Sequence, residues 1–357
     1  MNPRSSTTDG CPKHMVFGPC GGVRPGGACE LDAALPCPWA DPWADPVGPA
    51  GPVPVRRWDG PTPDPLVATP GSLLDTATQR PVVLTDLSVP PYDVATLRDV
   101  ARRLGRHSDA LLVGEHHDVP DFPPTMMAAE LQAAGARPWI TLTCRDRNRV
   151  VLEQELAGLA ALGVEGVLCV TGDGRGPGVR PEVARVFDLD STRLTNLAAH
   201  AGLAATVAVA PAAPPSGARA QVLAEKQRAG ASLVVTNHAP RPDVLAAFLE
   251  RARAAGVDLP VIAGVAIYTD EATARGLAAL PGLELDEEAV AAVLTAPDPV
   301  EAGIATAVAE ARALLAVPGV VGVNLSGVGS RAGWVPAADI KAEVGRRLAA
   351  ERVTTPS

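Results

Sequence analysis

Short runs of branched apolar residues alternate with longer stretches of helical periodicity from residue 82 onwards. The apolar runs are "VVLTDLSV", "DALLVG", "PWITLTC", "EGVLCVT", "LAATVAVA", "SLVVTN", "PVIAGVAI" and "VVGVNLS". They are too continuously apolar to leave one face in water, so they predict eight parallel strands buried on both sides. Eight such strands with helices between them predict an α/β fold, the (β/α)8 TIM barrel. A doubly wound open sheet is the alternative.

Helical periodicity predicts eight helical regions, and the first six end on a glycine suited to a C-cap. These six cover 93–105, 124–135, 148–163, 191–202, 218–230 and 243–256. The seventh covers 270–280 and the eighth is the long tract 286–315.

Proline is so frequent between residues 46 and 70 that this stretch predicts neither a helix nor the interior of a sheet, but a semi-extended linker. The chain therefore divides into a small N-terminal cysteine-rich metal-binding module over 1–45, a Pro-rich linker over 46–78, a barrel over 79–350 and a tail over 351–357.

The composition excludes two classes of partner. A net charge of −9 and a pI near 5.2 argue against nucleic acid, which needs a concentrated surplus of Lys and Arg on one face. No apolar run approaches the roughly 18–20 residues of a membrane span, and the N-terminus is polar. We therefore expect a cytoplasmic protein with no membrane partner.

Four of the six cysteines, Cys11, Cys20, Cys29 and Cys37, fall in the first forty residues. In a reducing cytosol such a cluster is typical of metal ligands, and the glycines of "GPCGG" let backbone amides turn towards a thiolate. Four cysteines suit zinc or an iron–sulfur cluster. Structural zinc is favoured because it needs no redox partner, and four free thiols are the alternative. The other two, Cys144 and Cys169, lie in apolar runs and are predicted core residues.

Polar residues follow each predicted strand, where a barrel of this type carries its chemistry. The most prominent is Asp173, which follows "LCVT"; the alternative is that it only caps a loop or helix. The same rule nominates further residues: Asp86, Ser88, Glu115, His116, His117, Thr143, Arg145, Asn237, Tyr268, Asn324 and Ser326.

Several tracts resemble the 5,10-methylenetetrahydrofolate reductase family of flavin-dependent barrel enzymes. They are "LTCRDRNR", "LCVTGD", "VFDLDS", "EKQRAGASLVVTN", "PVIAGVAIYT" and "GVVGVNLSG", in the family's order between residues 81 and 327. The N-terminal stretch "CPKHMVFGPCGGVRPGGACELDAALPCPW" is similar to the cysteine-rich module that accompanies some of these reductases in anaerobes. Here that module precedes the barrel.

The resemblance implies reduction of the methylene bridge of a tetrahydrofolate derivative to a methyl group. It assigns Asp173 to stabilising the iminium cation, Lys226 to the flavin side chain, and Asn237 to the pterin, where the family usually has glutamine. Thr143, Thr171 and Gly172 are then expected on the cofactor side, and Glu115, Tyr268 and Asn324 on the substrate side. The implied cofactors are a flavin, FAD or FMN, and NAD(P)H.

The match breaks at the general acid. The family's glutamate, which protonates the departing ring nitrogen, is replaced by Leu87, and Asp86 stands one place earlier. A shift of one residue turns a strand side chain to the opposite face, unless a bulge restores it. Asp86 is therefore either a catalytic acid or a strand-end acid facing solvent. His116 or His117 in "GEHHD" could supply the proton instead, or bind a metal with a third ligand that the spacing does not reveal.

The flavin side also departs from the family. Gly114 replaces a threonine, and Ala210 stands where a tyrosine packs on the cofactor, so hydride delivered directly from a nicotinamide is an alternative. We expect an oxidoreductase of one-carbon metabolism. A folate-dependent one-carbon transferase or demethylase, or a non-catalytic folate-binding subunit that docks a redox partner protein, remain alternatives. A homo-oligomer is compatible with all of them.

Overall fold

The eight apolar runs form a closed barrel of parallel strands in the order of the chain. The structure, a computed structural model, describes residues 10–40, 55–116, 118–175, 178–238, 241–280, 282–327 and 330–352. Its strands are β1 (Val82–Leu87), β2 (Ala110–Val113), β3 (Pro138–Thr143), β4 (Gly166–Val170), β5 (Ala204–Val209), β6 (Leu233–Thr236), β7 (Val261–Ala266) and β8 (Val320–Ser326). β8 pairs with β1, which closes the barrel. The predicted barrel is confirmed.

Eleven helices are described around and below this barrel. They are α1 (Leu73–Gln79), α2 (Val94–Leu104), α3 (Pro124–Ala133), α4 (Arg149–Ala161), α5 (Ser191–His200), α6 (Ser216–Arg228), α7 (Pro242–Ala254), α8 (Glu271–Ala278), α9 (Glu287–Leu294), α10 (Pro299–Leu315) and α11 (Trp334–Arg352). In the part of the chain that is described, none of them is long and apolar enough to cross a membrane.

The prediction for the eighth helical region needs correction, whereas α8 matches the seventh, 270–280. The tract 286–315 is two helices, because Asp298 caps a new helix, α10, whose first residue is Pro299. Both α9 and α10 precede β8, so the helix that completes the eighth βα unit is α11, which the periodicity did not predict. The glycine caps also differ: Gly163 adopts φ 71° after α4, whereas Gly105 has a right-handed φ of −60° at the end of α2.

The barrel interior is filled by side chains that alternate with those facing the helices. Val82 and Leu84 of β1 point inwards and pack with Trp139, whose indole Nε1 donates to Thr206 Oγ1 at 3.0 Å. A Cβ on Gly166 would lie 2.2 Å from this indole ring, so only glycine fits beside it. A second group of buried residues lies between the strands and the outer helices and includes Cys144 and Cys169, which confirms their core assignment.

Helix α1 closes the end of the barrel where the strands begin, since Leu73 packs on the interior cluster and its N–H donates to Glu165. The described part of the predicted linker also packs on the barrel: Trp58 N donates to Glu225 Oε2 at 2.6 Å, and Asn196 Nδ2 donates to the Pro61 carbonyl at 2.9 Å. The end of the barrel that stays open is therefore the opposite one, where the strands end.

Candidate active site

A cavity of about 410 Å³ opens at the carboxyl ends of the strands. Its floor is the upper layer of the barrel interior, with Leu112, Leu168 and Val235. Most of the polar residues nominated from the sequence line its wall, namely Asp86, Glu115, Thr143, Arg145, Thr171, Gly172, Asp173, Asn237, Asn324 and Ser326. Lys226 also lines it. This volume is at the lower end of the range for sites that enclose one small-molecule ligand.

Asp86 faces the cavity without a bulge. β1 runs in regular register beside β2, with Asp86 opposite Leu112, so strand alternation places Asp86 on the same face as the inward Leu84. Its Oδ1 accepts from Asn324 Nδ2 at 2.8 Å, and its Oδ2 accepts from Ser326 Oγ at 2.5 Å. Leu87 points outwards and packs among the helices. The family's glutamate position is thus occupied by a core residue, and Asp86 brings a carboxylate to the cavity instead.

Lys341 of α11 holds the end of β1 from behind. Its Nζ donates to the carbonyl oxygens of Asp86 and Gly327, both at 2.7 Å, and to Ser88 Oγ at 3.2 Å. Burial lowers the pKa of Lys341 to about 8, against a smaller opposing effect of the Asp86 charge. This anchor was not predicted, because α11 itself was not predicted.

Asp173 lies exposed at the mouth of the cavity, on the loop between β4 and α5. The N-cap of α5 is Asp190, whose side chain accepts from Arg193 N, so Asp173 does not cap that helix. The carbonyl oxygen of Asp173 accepts from Arg145 Nη1 at 3.3 Å, and Arg145 is itself almost fully buried. The backbone at Asp173 is therefore braced from β3.

Thr143 and Glu115 form one unit across β2 and β3. The carboxylate of Glu115 accepts from Thr143 N at 2.9 Å, from Thr143 Oγ1 at 3.0 Å and from Arg147 Nη1 at 2.7 Å. Thr171 Oγ1 accepts from Ser191 N at 3.0 Å, which ties β4 to the start of α5. Both threonines line the cavity, but their hydroxyls already serve the protein's own loops.

The residues that the resemblance assigns to the flavin have partners within the protein. Lys226 is partly buried, and its Nζ donates to the Ala208 carbonyl at 2.9 Å. Burial lowers the pKa of Lys226 to about 8. Ala210, which replaces the cofactor-packing tyrosine, lies against Gly21 of the cysteine-rich segment, where a Cβ on Gly21 would be 4.0 Å from the Ala210 Cβ. Ala210 and Gly21 both line the cavity, and flavin binding at this wall stays a prediction.

His116 lies beside the cavity rather than in it. It lines a smaller cavity of about 270 Å³ together with Arg147 and Arg175, and its Nε2 lies 3.5 Å from Asp121 Oδ2. Glu115 lines both cavities. His117 falls outside the described residues.

Tyr268 was predicted to contact the substrate, and this prediction needs correction. Its side chain is 5% exposed and packs in an apolar cluster with Leu277, Leu283 and Val293 instead of lining the cavity. Burial raises the pKa of Tyr268 to about 12. The residue follows β7, but the helices inserted after that strand cover it.

The four N-terminal cysteines lie within the described segment. Among the described residues, no group of three or more His, Cys, Asp or Glu side chains is arranged to hold a metal ion. Burial raises the pKa of the Cys20 thiol to about 11, with Lys13 and Glu30 beside it. The zinc or iron–sulfur assignment therefore stays a prediction from the sequence, without a matching ligand geometry.

Residues of the cysteine-rich segment form part of the cavity wall, which the sequence did not indicate. They are Lys13, Met15, Pro19, Cys20 and Gly21. Lys13 Nζ donates to the Gly172 carbonyl, and Arg219 Nη1 of α6 donates to the Pro19 and Cys20 carbonyls. A bond to a backbone carbonyl leaves no pattern of residue types to recognise.

The fold and the cavity together define a (β/α)8 barrel with a small-molecule site at the carboxyl ends of its strands, ringed by carboxylates and amides. A family model described as methylenetetrahydrofolate reductase matches residues 119–324, more than half of the chain. The chain belongs to the methylenetetrahydrofolate reductase family. A second model, described as the methylenetetrahydrofolate reductase C terminal, matches residues 5–45, which here precede the barrel.

Two solved structures are reported as similar to this chain. An uncharacterized protein from Clostridium thermocellum, described as binding two copies of 5-methyl-5,6,7,8-tetrahydrofolic acid, is 11% identical with a TM-score of 0.58, over 78% of this chain and 100% of that one. Tryptophan synthase from Mycobacterium tuberculosis is 14% identical with a TM-score of 0.42, over 76% of this chain and 93% of that one. No curated protein sequence matches the chain significantly.

Proposed function

We propose that this protein reduces the methylene bridge of 5,10-methylenetetrahydrofolate to the methyl group of 5-methyltetrahydrofolate. The observation that carries the proposal is that two carboxylates, Asp86 and Asp173, line one cavity at the active end of a barrel of this family. The Clostridium thermocellum barrel, described as binding 5-methyl-5,6,7,8-tetrahydrofolic acid, supports a reduced folate as the ligand.

The reaction needs a negative charge of the protein near one nitrogen of the folate and a proton donor near another. The five-membered ring opens as the bond between N10 and the methylene carbon breaks, which leaves an iminium cation on N5 and requires a proton on N10. A hydride then adds to the iminium carbon and gives the methyl group. An ionised carboxylate near N5 stabilises the cation, and a carboxylic acid near N10 supplies the proton.

Asp173 and Asp86 suit these two tasks. Asp173 is exposed at the mouth, where an ionised carboxylate is readily kept, so we assign it to the cation. Asp86 lies deeper, between Asn324 and Ser326, and we assign it to the proton. Asn237 lines the same wall and offers an amide for the polar edge of the pterin, with one methylene less than the family's glutamine.

We further propose that NAD(P)H delivers the hydride directly, as a second substrate. Two observations support this choice: Lys226 is engaged with the Ala208 carbonyl, and Gly21 lies against Ala210 where the family packs a flavin. NADH and NADPH are not distinguished by the described residues. The two electrons of the hydride balance the reduction of the methylene carbon.

The test is oxidation of NADH or NADPH by the purified full-length chain, with and without 5,10-methylenetetrahydrofolate. We expect oxidation only when the folate is present, formation of an equal amount of 5-methyltetrahydrofolate, and no bound flavin in the absorption spectrum. Glu182→Gln, which changes an exposed acid on the same loop as Asp173, should keep the rate. A yellow protein that uses flavin would contradict the direct transfer but not the reduction.

A second candidate is a folate-binding subunit or one-carbon transferase without reductase activity. The observation that favours it is Leu87, a core residue at the position of the family's general acid. It predicts that 5-methyltetrahydrofolate binds to the chain but that neither nicotinamide is oxidised. Folate binding measured by calorimetry beside the oxidation assay separates the two candidates.

A further inference from the structure

The cysteine-rich segment, residues 10–40, is fixed onto the open end of the barrel. Val16 N donates to Asp190 Oδ2 at 3.0 Å, in a buried bond to the cap of α5. At the neighbouring βα unit, Arg219 of α6 donates through Nη1 to the Cys20 carbonyl at 2.8 Å. The segment is therefore attached to two neighbouring βα units at the cavity mouth, and its own charged residues reach the loops of the site.

Two of these charged residues form a buried ion pair next to Asp173. Lys13 Nζ lies 2.5 Å from Glu30 Oε2, and the two side chains are 4% and 8% exposed. Each partner also bonds to the loop between β4 and α5: Lys13 Nζ donates to the Gly172 carbonyl at 2.8 Å, and Gly174 N donates to Glu30 Oε1 at 2.8 Å. Residue 173 lies between these two bonds.

The segment and the loop pack closely here. A Cβ on Gly174 would lie 2.1 Å from Leu31 Cδ2, and a Cβ on Gly22 would lie 1.9 Å from Glu30 Oε2. A side chain at either position would displace the end of the Leu31 or Glu30 side chain. Glycine at both positions therefore leaves room for these two side chains where they lie.

We propose that Lys13 and Glu30 are positioning residues that hold Asp173 at the cavity, so that the cysteine-rich segment is part of the active site. This inference rests on the proposed function, in which Asp173 stabilises the iminium cation. A buried ion pair is weak evidence for stability as such. The pair is proposed to act by fixing the position of Asp173, because a charge stabilises a transition state best when its position is fixed beforehand.

Hydrogen exchange of the full-length protein without ligand tests the contact itself. In Glu30→Gln and Lys13→Met we expect the amide of Gly174 to exchange at least about tenfold faster than in the parent chain. The matched control is Arg24→Gln in the same segment, whose guanidinium bonds to the Glu30 carbonyl at an exposed site. The control should leave exchange at Gly174 unchanged. Unchanged exchange in both test variants would overturn the proposal.

Turnover tests whether the effect passes through Asp173. We expect Lys13→Met to lower kcat about tenfold with a smaller change in KM, because the substrate still enters but meets a less ordered charge. In an Asp173→Asn background, Lys13→Met should lower kcat less than about twofold, since the carboxylate that Lys13 positions is absent. An equal loss in both backgrounds would mean that Lys13 acts elsewhere and would overturn the positioning role.

The two readouts also separate this inference from the proposed function. If the parent chain does not oxidise NAD(P)H with 5,10-methylenetetrahydrofolate, the proposed function fails, while exchange at Gly174 still decides whether the segment holds the loop. If Lys13→Met does not fold, Glu30→Gln keeps the side-chain volume and carries both measurements. Lys13→Arg, which preserves the positive charge, should restore most of the rate lost in Lys13→Met.

Discussion

The two carboxylates of the candidate site are held by different parts of the molecule. Asp86 is fixed within the barrel, by Asn324 and Ser326 on the neighbouring strand and by Lys341 behind its backbone. Asp173 lies on a loop whose backbone is held by Lys13 and Glu30 of the cysteine-rich segment. The first acid depends on sheet register, whereas the second depends on a segment outside the sheet. Changes to either should therefore have different consequences for activity and for stability.

The largest effect is expected for Asp173→Asn. Removing the charge that faces the developing cation should lower kcat by roughly 10²–10³-fold, as for other electrostatic groups of this kind. The fold should be unaffected, because the side chain is exposed at the cavity mouth. Steady-state oxidation of NAD(P)H with 5,10-methylenetetrahydrofolate measures it, with Glu182→Gln as the control on the same loop. A loss of less than threefold would remove Asp173 from the mechanism.

The second prediction concerns Asp86→Asn, which should lower turnover by roughly 10²-fold, because the amide cannot supply the proton for N10. His116→Asn is the matched comparison, since it removes the other described side chain that the sequence nominated as the general acid. We expect the histidine variant to retain most activity, as His116 lines the neighbouring cavity. The opposite result, a large loss in His116→Asn and none in Asp86→Asn, would move the general acid to the histidine.

The third prediction separates stability from activity at β1. The pKa of Lys341 is lowered by burial to about 8 in the folded chain, against 10.5 for the ordinary side chain. Between these two pH values the unfolded state binds the proton and the folded state does not, so this group makes stability rise with pH. The gain should reach about 3 kcal/mol across the window.

The measurement is the free energy of unfolding by urea, at several pH values from 7.5 to 10.5, for the parent chain and Lys341→Met. Other groups that titrate in this window, such as Lys226 and the buried thiols, cancel in the difference. The parent chain should gain stability relative to the variant as pH rises. If the difference stays constant over this range, burial does not lower the pKa of Lys341.

Much of the fold could be predicted because each strand of a closed parallel barrel is buried on both faces and so appears as a continuous apolar run. β1, which carries Asp86, and β4, which precedes Asp173, were predicted in this way, and both acids line the cavity. The orientation of Asp86 could not be predicted, because the resemblance pointed to Leu87 and only the register of β1 decides between adjacent positions.

The rest of the site escaped prediction because it depends on contacts that are distant in sequence. Lys13 and Glu30 bond to backbone atoms of Gly172 and Gly174, and a backbone acceptor requires no particular residue type. Tyr268 follows a strand like the residues that line the cavity, but helices inserted before β8 bury it. For the cysteines, spacing and composition predicted a metal site, although no such ligand group is arranged among the described residues.

The smallest effect is expected for Ser326→Ala, which probes how firmly the barrel holds Asp86. Ser326 Oγ donates to Asp86 Oδ2 at 2.5 Å, and Asn324 Nδ2 donates to the other oxygen, so one of two bonds remains in the variant. We expect kcat to change about three- to fivefold, in line with the net contribution of about 1 kcal/mol that one hydrogen bond makes. Because the contact lies within the barrel, exchange at Gly174 should not change. Faster exchange there would mean that the two carboxylates are coupled and that the contrast between them does not hold.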